Sequence, residues 1–569
     1  MTLQGKCAVP GVAVGSIYIH NNSFTIPKES LCPAGEEQVH LDRYFFIKKQ
    51  AISELDLIVQ KLNDDPKAAI FIAHKEIVDD IIINEEIPAK IKNEQWAGDW
   101  AIYQVYETVL AVLKNTPDPL ISERACDFDD VRSLLLRLWY GQKNEGLNTL
   151  TEPVIVAARE LMPSDAAGMD KGRILAILTE IGGLTSHAAI IAKSYGIPTV
   201  LGITGLLDSV KQGQTAAVSA DANKGTVILN PDKNTADEYQ KKAKKYQQDK
   251  KEEQTYFSRE GFTACGKKID IGLNVANVGA DLAAEQYVDS VSVFRTEFLY
   301  MGRNSLPSED EQFEVYRKVL ECFGERPVII RTLDIGGDKQ IAGMKPLNTE
   351  ENPFLGVRAL RLCFNYPDIF MTQIKAALRA SNGNLWLMLP MVTSIEDIRK
   401  AKEYIAAAAE ELKKEGITVS PYKFGIMIEI PSIALIADLA AKEVDFASIG
   451  SNDLCQYLCA ADRMNAETEE YYQSYHPGML RLLKDVISAF DNAGKSISIC
   501  GELGGDPMAV PLLIGLGLRK LGMNASSIAA VKRKLAGCSV KQCEELAGLA
   551  LACQTAAEVK TVLADTTLV

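Results

Sequence analysis

The sequence predicts a multidomain α/β protein: an α/β domain interrupted by an all-α helical insert, then a C-terminal (β/α)8 barrel of the TIM type. Three observations predict it. Eight short apolar runs alternate with helical stretches after Cys265, a block of helical periodicity lies between two strand-like stretches, and a charged segment nearly free of aliphatic residues separates the two halves. At 569 residues the chain has room for roughly three or four domains.

Residues 1–32 are rich in Gly and Val and strand-like (GVAVGSIYI). From Glu36 the pattern changes: Leu41, Phe45, Ile52, Leu55, Val59 and Leu62 recur near helical spacing. Further helical runs lie around 67–80, 99–114 and 127–143, so residues 33–143 are predicted as an insert of about four pairwise-packed helices. Residues 144–230 return to α/β texture, with VIVAA, ILAILT and TVILN as strands and TSHAAIIAKSYG as a helix. Residues 231–258 carry nearly balanced charge and predict a solvated helical linker that lets two domains move. In residues 259–569 the runs IDIGLN, SVSVFR, VIIRTL, LWLML, FGIMIE, FASIGSND, SISICGE and LGMN read as eight strands. Asn274, Arg295, Arg331, Glu429, Asn452, Asp453 and Cys500 cluster at their C-terminal ends, the face on which barrels of this kind build active sites.

Composition removes several classes of function. A net charge of −14 without a basic stretch argues against nucleic acid, whose binding leans on Lys and Arg. No apolar run reaches the ~18–20 residues of a membrane helix, and the N-terminus does not read as a signal peptide. Twelve cysteines without CxxC pairs point to a reducing, cytoplasmic setting rather than to zinc or disulfides.

Of five histidines, only His187 lies in a Gly-Gly/Thr-Ser setting (GGLTSHAAIIAKSYGIP), with Thr185 as a candidate N-cap. A first helical turn offers unpaired N–H groups and the positive end of the helix dipole, which suit a phosphate carried on imidazole. Neutral imidazole is a nucleophile near pH 7; the competing reading is a packed histidine at a helix start. Arg295, Arg331 and Arg463 have the fork geometry that suits phosphate and carboxylate, although one such arginine alone is commonly a structural ion pair. Glu429 and Asp453 could hold magnesium beside a phosphate, or belong to a salt-bridge network. Cys500 is either a buried thiol or an acid facing a reacting enolate.

The stretches GGLTSHAAIIAKSYGIPTVLG, VFRTEFLYMGRNSLPSEDEQF, RTLDIGGDK, ENPFLGVRALR, SNDLCQYLCAADR and ICGELGGDP resemble enzyme I of the bacterial phosphoenolpyruvate:sugar phosphotransferase system, over nearly the whole chain and in order. The resemblance implies a phosphohistidine domain in 1–32 and 144–230, an insert that docks the carrier HPr, and a barrel that binds phosphoenolpyruvate with Mg²⁺ and forms a homodimer. It implies that His187 takes the phosphate and passes it to HPr, that Cys500 protonates the departing enolpyruvate to give pyruvate, and that Arg295, Arg331, Asn452, Asp453 and Arg463 hold the substrate. Glu429 and Asp453 would bind the metal, and Arg358 joins the pocket. Ser290 and Ser292 stand where the family usually has Gly-x-Gly. That departure keeps open a divergent or non-catalytic regulatory paralogue that binds similar metabolites or a dedicated carrier.

Overall fold

The computed structural model describes residues 1–569 except 21–25, 34, 63–67, 115–123, 143–146, 148–149, 162–164, 166–168, 183–188, 190–191, 193–194, 222–223, 277, 302, 304, 337–349, 464 and 566–569. The chain forms two compact units, Met1–Asp249 and Lys250–Val569.

In the first unit, strands β1 (Thr2–Val9), β2 (Gly11–His20), β3 (Val154–Ala158), β4 (Ile174–Thr179), β5 (Thr199–Leu201), β6 (Thr215–Asp221) and β7 (Lys224–Leu229) close into a small barrel in the order β1-β5-β4-β3-β2-β6-β7. β2, β3, β4 and β5 run parallel, and β1, β6 and β7 pair antiparallel. Its core is aliphatic, with Ile17, Ile155, Leu178, Val200, Val218 and Val227 fully buried.

Between β2 and β3 lie α1 (Glu37–Leu62), α2 (Ala68–Val78), α3 (Ile81–Glu94), α4 (Gly98–Lys114) and α5 (Ala125–Trp139). That makes five helices among the described residues, where periodicity predicts about four. The unpredicted one is α3, whose sequence IIINEEIPAKIKNE is broken up by charges and by Pro88. Asp80 caps it by accepting from the Ile83 N–H at 3.0 Å, and Ile83, Ile87 and Ile91 bury one stripe. The buried face of α1 is also rotated from the expected one: Tyr44 and Ile47 enter the core, while Phe45 stays exposed. Both sets fit helical spacing, so periodicity alone could not choose between them.

The helix Lys233–Gln254 buries no residue along its length. Near its end, the Tyr246 hydroxyl donates to the Pro10 carbonyl at 2.9 Å.

In the second unit all eight predicted strands form: β8 (Asp270–Val275), β9 (Ser290–Phe294), β10 (Val328–Arg331), β11 (Leu385–Leu389), β12 (Lys423–Ile428), β13 (Phe446–Ile449), β14 (Ser496–Ile499) and β15 (Lys520–Met523). They pair in parallel and close in the order β10-β11-β12-β13-β14-β15-β8-β9. Val293, Ile329, Trp386, Met388, Met427, Phe446 and Cys500 pack together as a separate apolar cluster of strand residues. Among the surrounding helices, Glu309–Phe323, Ile395–Lys414 and Val540–Ala552 each start with a reciprocal capping box, from Ser308, Ser394 and Ser539 respectively. The register of β9 shifts against β8 between Leu273 and Asn274, leaving Ser292 as an extra residue in a bulge. The hydroxymethyl groups of Ser290 and Ser292 occupy space that glycines leave: a Cβ on Gly272 would lie 2.6 Å from Ser292 Cβ, and one on Gly522 would lie 2.5 Å from it. The two serines are thus matched by two glycines on β8 and β15.

Candidate active site at the barrel mouth

The C-terminal ends of the barrel strands gather a buried charge cluster. Arg331 ends β10, and its Nη2 pairs with Glu297, just beyond β9. Its Nη1 lies 2.8 Å from Asp334 Oδ2, three residues further along the chain. Asp334 Oδ1 accepts from Arg358 Nη2 at 3.0 Å, so one carboxylate joins two arginines. Arg358 also lies 3.7 Å from Asp453 Oδ2 and donates to the Tyr457 hydroxyl at 3.4 Å. Arg463 Nη2 lies 3.5 Å from Asp453 Oδ1. Burial works against the guanidinium charge of Arg331, but Asp334, Glu297 and Glu429 more than offset it and hold Arg331 charged. Its Nε is buried and makes no hydrogen bond.

The backbone under Arg331 is fixed from the helix Pro367–Ala380. Gln373 accepts the Leu333 N–H at 2.8 Å and donates to Thr296 Oγ1 at 3.1 Å, and Thr296 in turn donates to the Arg331 carbonyl at 3.0 Å.

Glu429 follows β12 and is 1% exposed. The Met391 N–H donates to its Oε1 at 2.6 Å, and Met391 reaches this position at φ 53°, a conformation that costs a non-glycine residue about 1–3 kcal/mol. Gly450 lets β13 pass close by, since a Cβ there would lie 2.8 Å from Glu429 Oε2. Burial first, then the charges of Asp334 and Asp453, raise the Glu429 carboxyl to about 8, and Arg331 and Arg358 offset this only in part. Glu429 Oε2 and Asp453 Oδ1 are buried and accept no hydrogen bond. Two carboxylate oxygens without a hydrogen bond, one of them 3.5 Å from Arg463 Nη2, beside acids that repel each other fit a hard divalent cation. No group of three or more His, Cys, Asp or Glu side chains among the described residues converges on a metal position, so a cation here would need oxygens from elsewhere.

Cys500 follows β14, with its thiol donating to the Ile449 carbonyl at 3.5 Å. Burial pushes it up to about 11, against the pull of the Ser448 hydroxyl and Arg331, so it carries its proton at neutral pH. Asn274 Nδ2 donates to the Cys500 carbonyl at 2.9 Å. Asn452 and Asp453 lie in the first turn of the helix Ser451–Cys459, just past the strand end. The Asn452 side-chain oxygen accepts from the Glu502 N–H at 3.0 Å. Arg295 is exposed just after β9. The expected helix start with Thr185 and His187 lies outside the described residues.

Family models described as PEP-utilising enzyme match in three pieces: the PEP-binding domain over residues 250–540, the mobile domain over 150–225 and the N-terminal part over 4–124. Curated relatives named phosphoenolpyruvate-protein phosphotransferase align along nearly the full length. That of Staphylococcus carnosus (strain TM300) is 38% identical over 562 residues, 98% of this chain and 97% of its own. That of Staphylococcus aureus is 42% identical over 563 residues, 98% of both, and that of Priestia megaterium is 38% identical over 533 residues, 92% of both. The chain belongs to the phosphoenolpyruvate-protein phosphotransferase family. In this member of the family, the barrel brings Arg331, Arg358, Glu429, Asp453 and Arg463 into one charge cluster, with Cys500 within reach of its field. Sequence reasoning missed Glu297 and Asp334, the counter-ions that hold these arginines. Their signal was local: each lies two or three residues after a singled-out arginine, in FRTEF and RTLDIGG.

Proposed function

We propose that this chain takes the phosphoryl group of phosphoenolpyruvate onto its own His187, releases pyruvate, and passes the group to a histidine of the carrier HPr, the first step of phosphorylating sugar uptake. The observation that carries this reading is the Arg331–Asp334–Arg358 cluster beside two buried carboxylate oxygens that accept no hydrogen bond, at one barrel mouth. Such a cluster suits a small trianionic substrate.

Arg295, Arg331 and Arg463 hold the phosphate and carboxylate, with Arg358 and Asn452 beside them. Glu429 and Asp453 would hold Mg²⁺, which supplies charge neutralisation on the phosphoryl oxygens. His187 attacks phosphorus; its N–P bond forms as the P–O bond to the enol oxygen breaks. The arginines stabilise charge on the moving group. Cys500 gives its proton to C3 of the enolate, completing pyruvate. Residues 1–32 and 144–230 form the phosphohistidine domain, 33–143 dock HPr, 231–258 link, and 259–569 bind phosphoenolpyruvate. A linker helix with no buried residue suits a phosphohistidine domain that must serve two sites. Exposed Leu435 and Leu439 on the barrel supply apolar surface that a second copy would cover in a homodimer. All twelve cysteines are free, and no helix among the described residues is long and apolar enough to cross a membrane, which supports a cytoplasmic location.

The test is labelling with ³²P-phosphoenolpyruvate, followed by a chase with HPr. Acid-labile label on the chain that moves to HPr is expected; a chain that binds phosphoenolpyruvate yet never becomes labelled would return the regulatory reading, which no observation now favours.

A further inference from the structure

Behind the charge cluster lies an uncharged network that reaches well past the backbone of Arg331. Its hub is Gln373, which is 1% exposed. Gln373 Nε2 donates both to Thr296 Oγ1 and to the Tyr316 hydroxyl, each at 3.1 Å, and its Oε1 accepts from the Leu333 N–H at 2.8 Å. Thr296 donates in turn to the Arg331 carbonyl at 3.0 Å. On the helix Glu309–Phe323, the Tyr316 hydroxyl donates to Gln312 Oε1 at 3.0 Å, which the Tyr300 hydroxyl also reaches at 3.0 Å. Gln312 Nε2 ends the chain on the Pro307 carbonyl at 3.3 Å. Thr296, Tyr300, Gln312 and Tyr316 are all buried. The directions agree: Thr296 and Tyr316 each accept one hydrogen bond from Gln373 and donate one onward. Turning any member would strand a donor or acceptor away from water, so the network holds one geometry.

Its anchor points sit beside the charges. Thr296 lies between Arg295 and Glu297, Leu333 directly precedes Asp334, and the third anchor is the carbonyl of Arg331 itself. Glu297 and Asp334 are the two carboxylates that grip the Arg331 guanidinium. Coulomb attraction falls off slowly with distance and would hold these groups together in several arrangements. The hydrogen bonds from Gln373 are directional, and they tie the segment after β9 to the segment after β10 in one of those arrangements.

We propose that Gln373 is a positioning residue for substrate capture: through Thr296 and Leu333 it sets the spacing at which Arg295 and Arg331 meet phosphoenolpyruvate. This rests on the reading of those arginines as the groups that hold the substrate. Gln373 itself touches no substrate. It acts by keeping the two arginine-bearing segments in register before the substrate arrives, so that binding does not have to order them.

The test measures labelling of the full chain by ³²P-phosphoenolpyruvate with Mg²⁺ against substrate concentration, so that KM and kcat separate, at a temperature where thermal unfolding shows each variant folded. Gln373→Met keeps the length of the side chain and removes all three hydrogen bonds. Thr296→Val keeps the shape and removes the hydroxyl, whereas Thr296→Ser keeps the hydroxyl. Gln373→Met and Thr296→Val should each raise KM for phosphoenolpyruvate by about tenfold, and Thr296→Ser should keep KM near native. A residue that only supports the fold would lower the active fraction, and so kcat, with KM native. A native KM in Thr296→Val, or the same KM in the Val and Ser variants, would overturn the proposal; if Gln373→Met does not fold, the Thr296 pair decides alone. Arg331→Ala separates the two ideas. If its KM is native, the reading of Arg331 as a substrate holder falls and the positioning role with it; if its KM is raised while that of Thr296→Val is native, only the positioning role falls.

Discussion

The chain contains two closed barrels, and they treat charge in opposite ways. In the seven-stranded barrel of the first unit the core is Ile, Val, Leu and Ala, and the buried polar side chains on its strands are few: His20, Thr179 and Thr199. In the eight-stranded barrel, Glu297, Arg331, Asp334, Arg358, Glu429 and Asp453 are all buried at one mouth. Ionised groups taken from water cost several kcal/mol each unless they are paired. The small barrel avoids that cost. The large barrel accepts it, because only preorganised, dehydrated charges act strongly on a phosphoryl group. Charge burial thus bears on stability in the second unit far more than in the first.

Four experiments would break or sharpen this contrast. His187→Ala should have the largest effect: labelling by phosphoenolpyruvate is lost entirely, while the thermal unfolding of the barrel is unchanged. Acid-labile label remaining on that variant would refute the assignment. Removing Mg²⁺ with a chelator should stop labelling of His187 but spare transfer from phosphorylated chain to HPr, measured as a separate half-reaction. Equal loss of both halves would detach Glu429 and Asp453 from the metal.

The two arginine variants come next, and they should differ from each other. Arg331→Ala and Arg463→Ala should each slow labelling by about 10²–10³ and leave transfer to HPr nearly untouched. Arg331 is buried between two carboxylates, so its loss also strands Glu297 and Asp334 and should destabilise the barrel by about 3 kcal/mol in chemical denaturation. Arg463 has a side chain 31% exposed, and its removal should change stability by less than about 0.5 kcal/mol. Equal stability losses would show that burial does not distinguish their roles.

The smallest effect is expected on the insert. Ile81 and Ile82 are 74% and 69% exposed at the start of α3, an apolar pair with no folding role. Ile81→Asp with Ile82→Asp should weaken transfer to HPr about tenfold, leave labelling intact and shift stability by less than about 0.5 kcal/mol. Unchanged transfer would move carrier docking to another face.

Periodicity and strand-end chemistry could be read directly from the sequence. All eight barrel strands were legible because each is a short apolar run; Arg331, Glu429 and Cys500 were legible because each closes or directly follows such a run, and Asp453 because it lies in the first helical turn after one. Helix α3 was not, since its buried stripe of three isoleucines is interleaved with charges and Pro88. The buried face of α1 was legible only in part: Leu41 and Leu55 enter the core as expected, but Tyr44 and Ile47 do so in place of Phe45.

The sequence by itself determined the order of elements, the gathering of charged residues at the strand ends, and the residue types available there. The tertiary structure alone decided the pairings. Asp334 joins Arg331, the last residue of β10, to Arg358, far along the connection that follows it, and Ser498 lies beside Ser448 only because β13 and β14 are neighbours in register. Local sequence sets the direction of each side chain through the periods of helix and strand. Which charges meet, and which oxygens are left without partners, depends on barrel closure, and closure is a property of the whole chain.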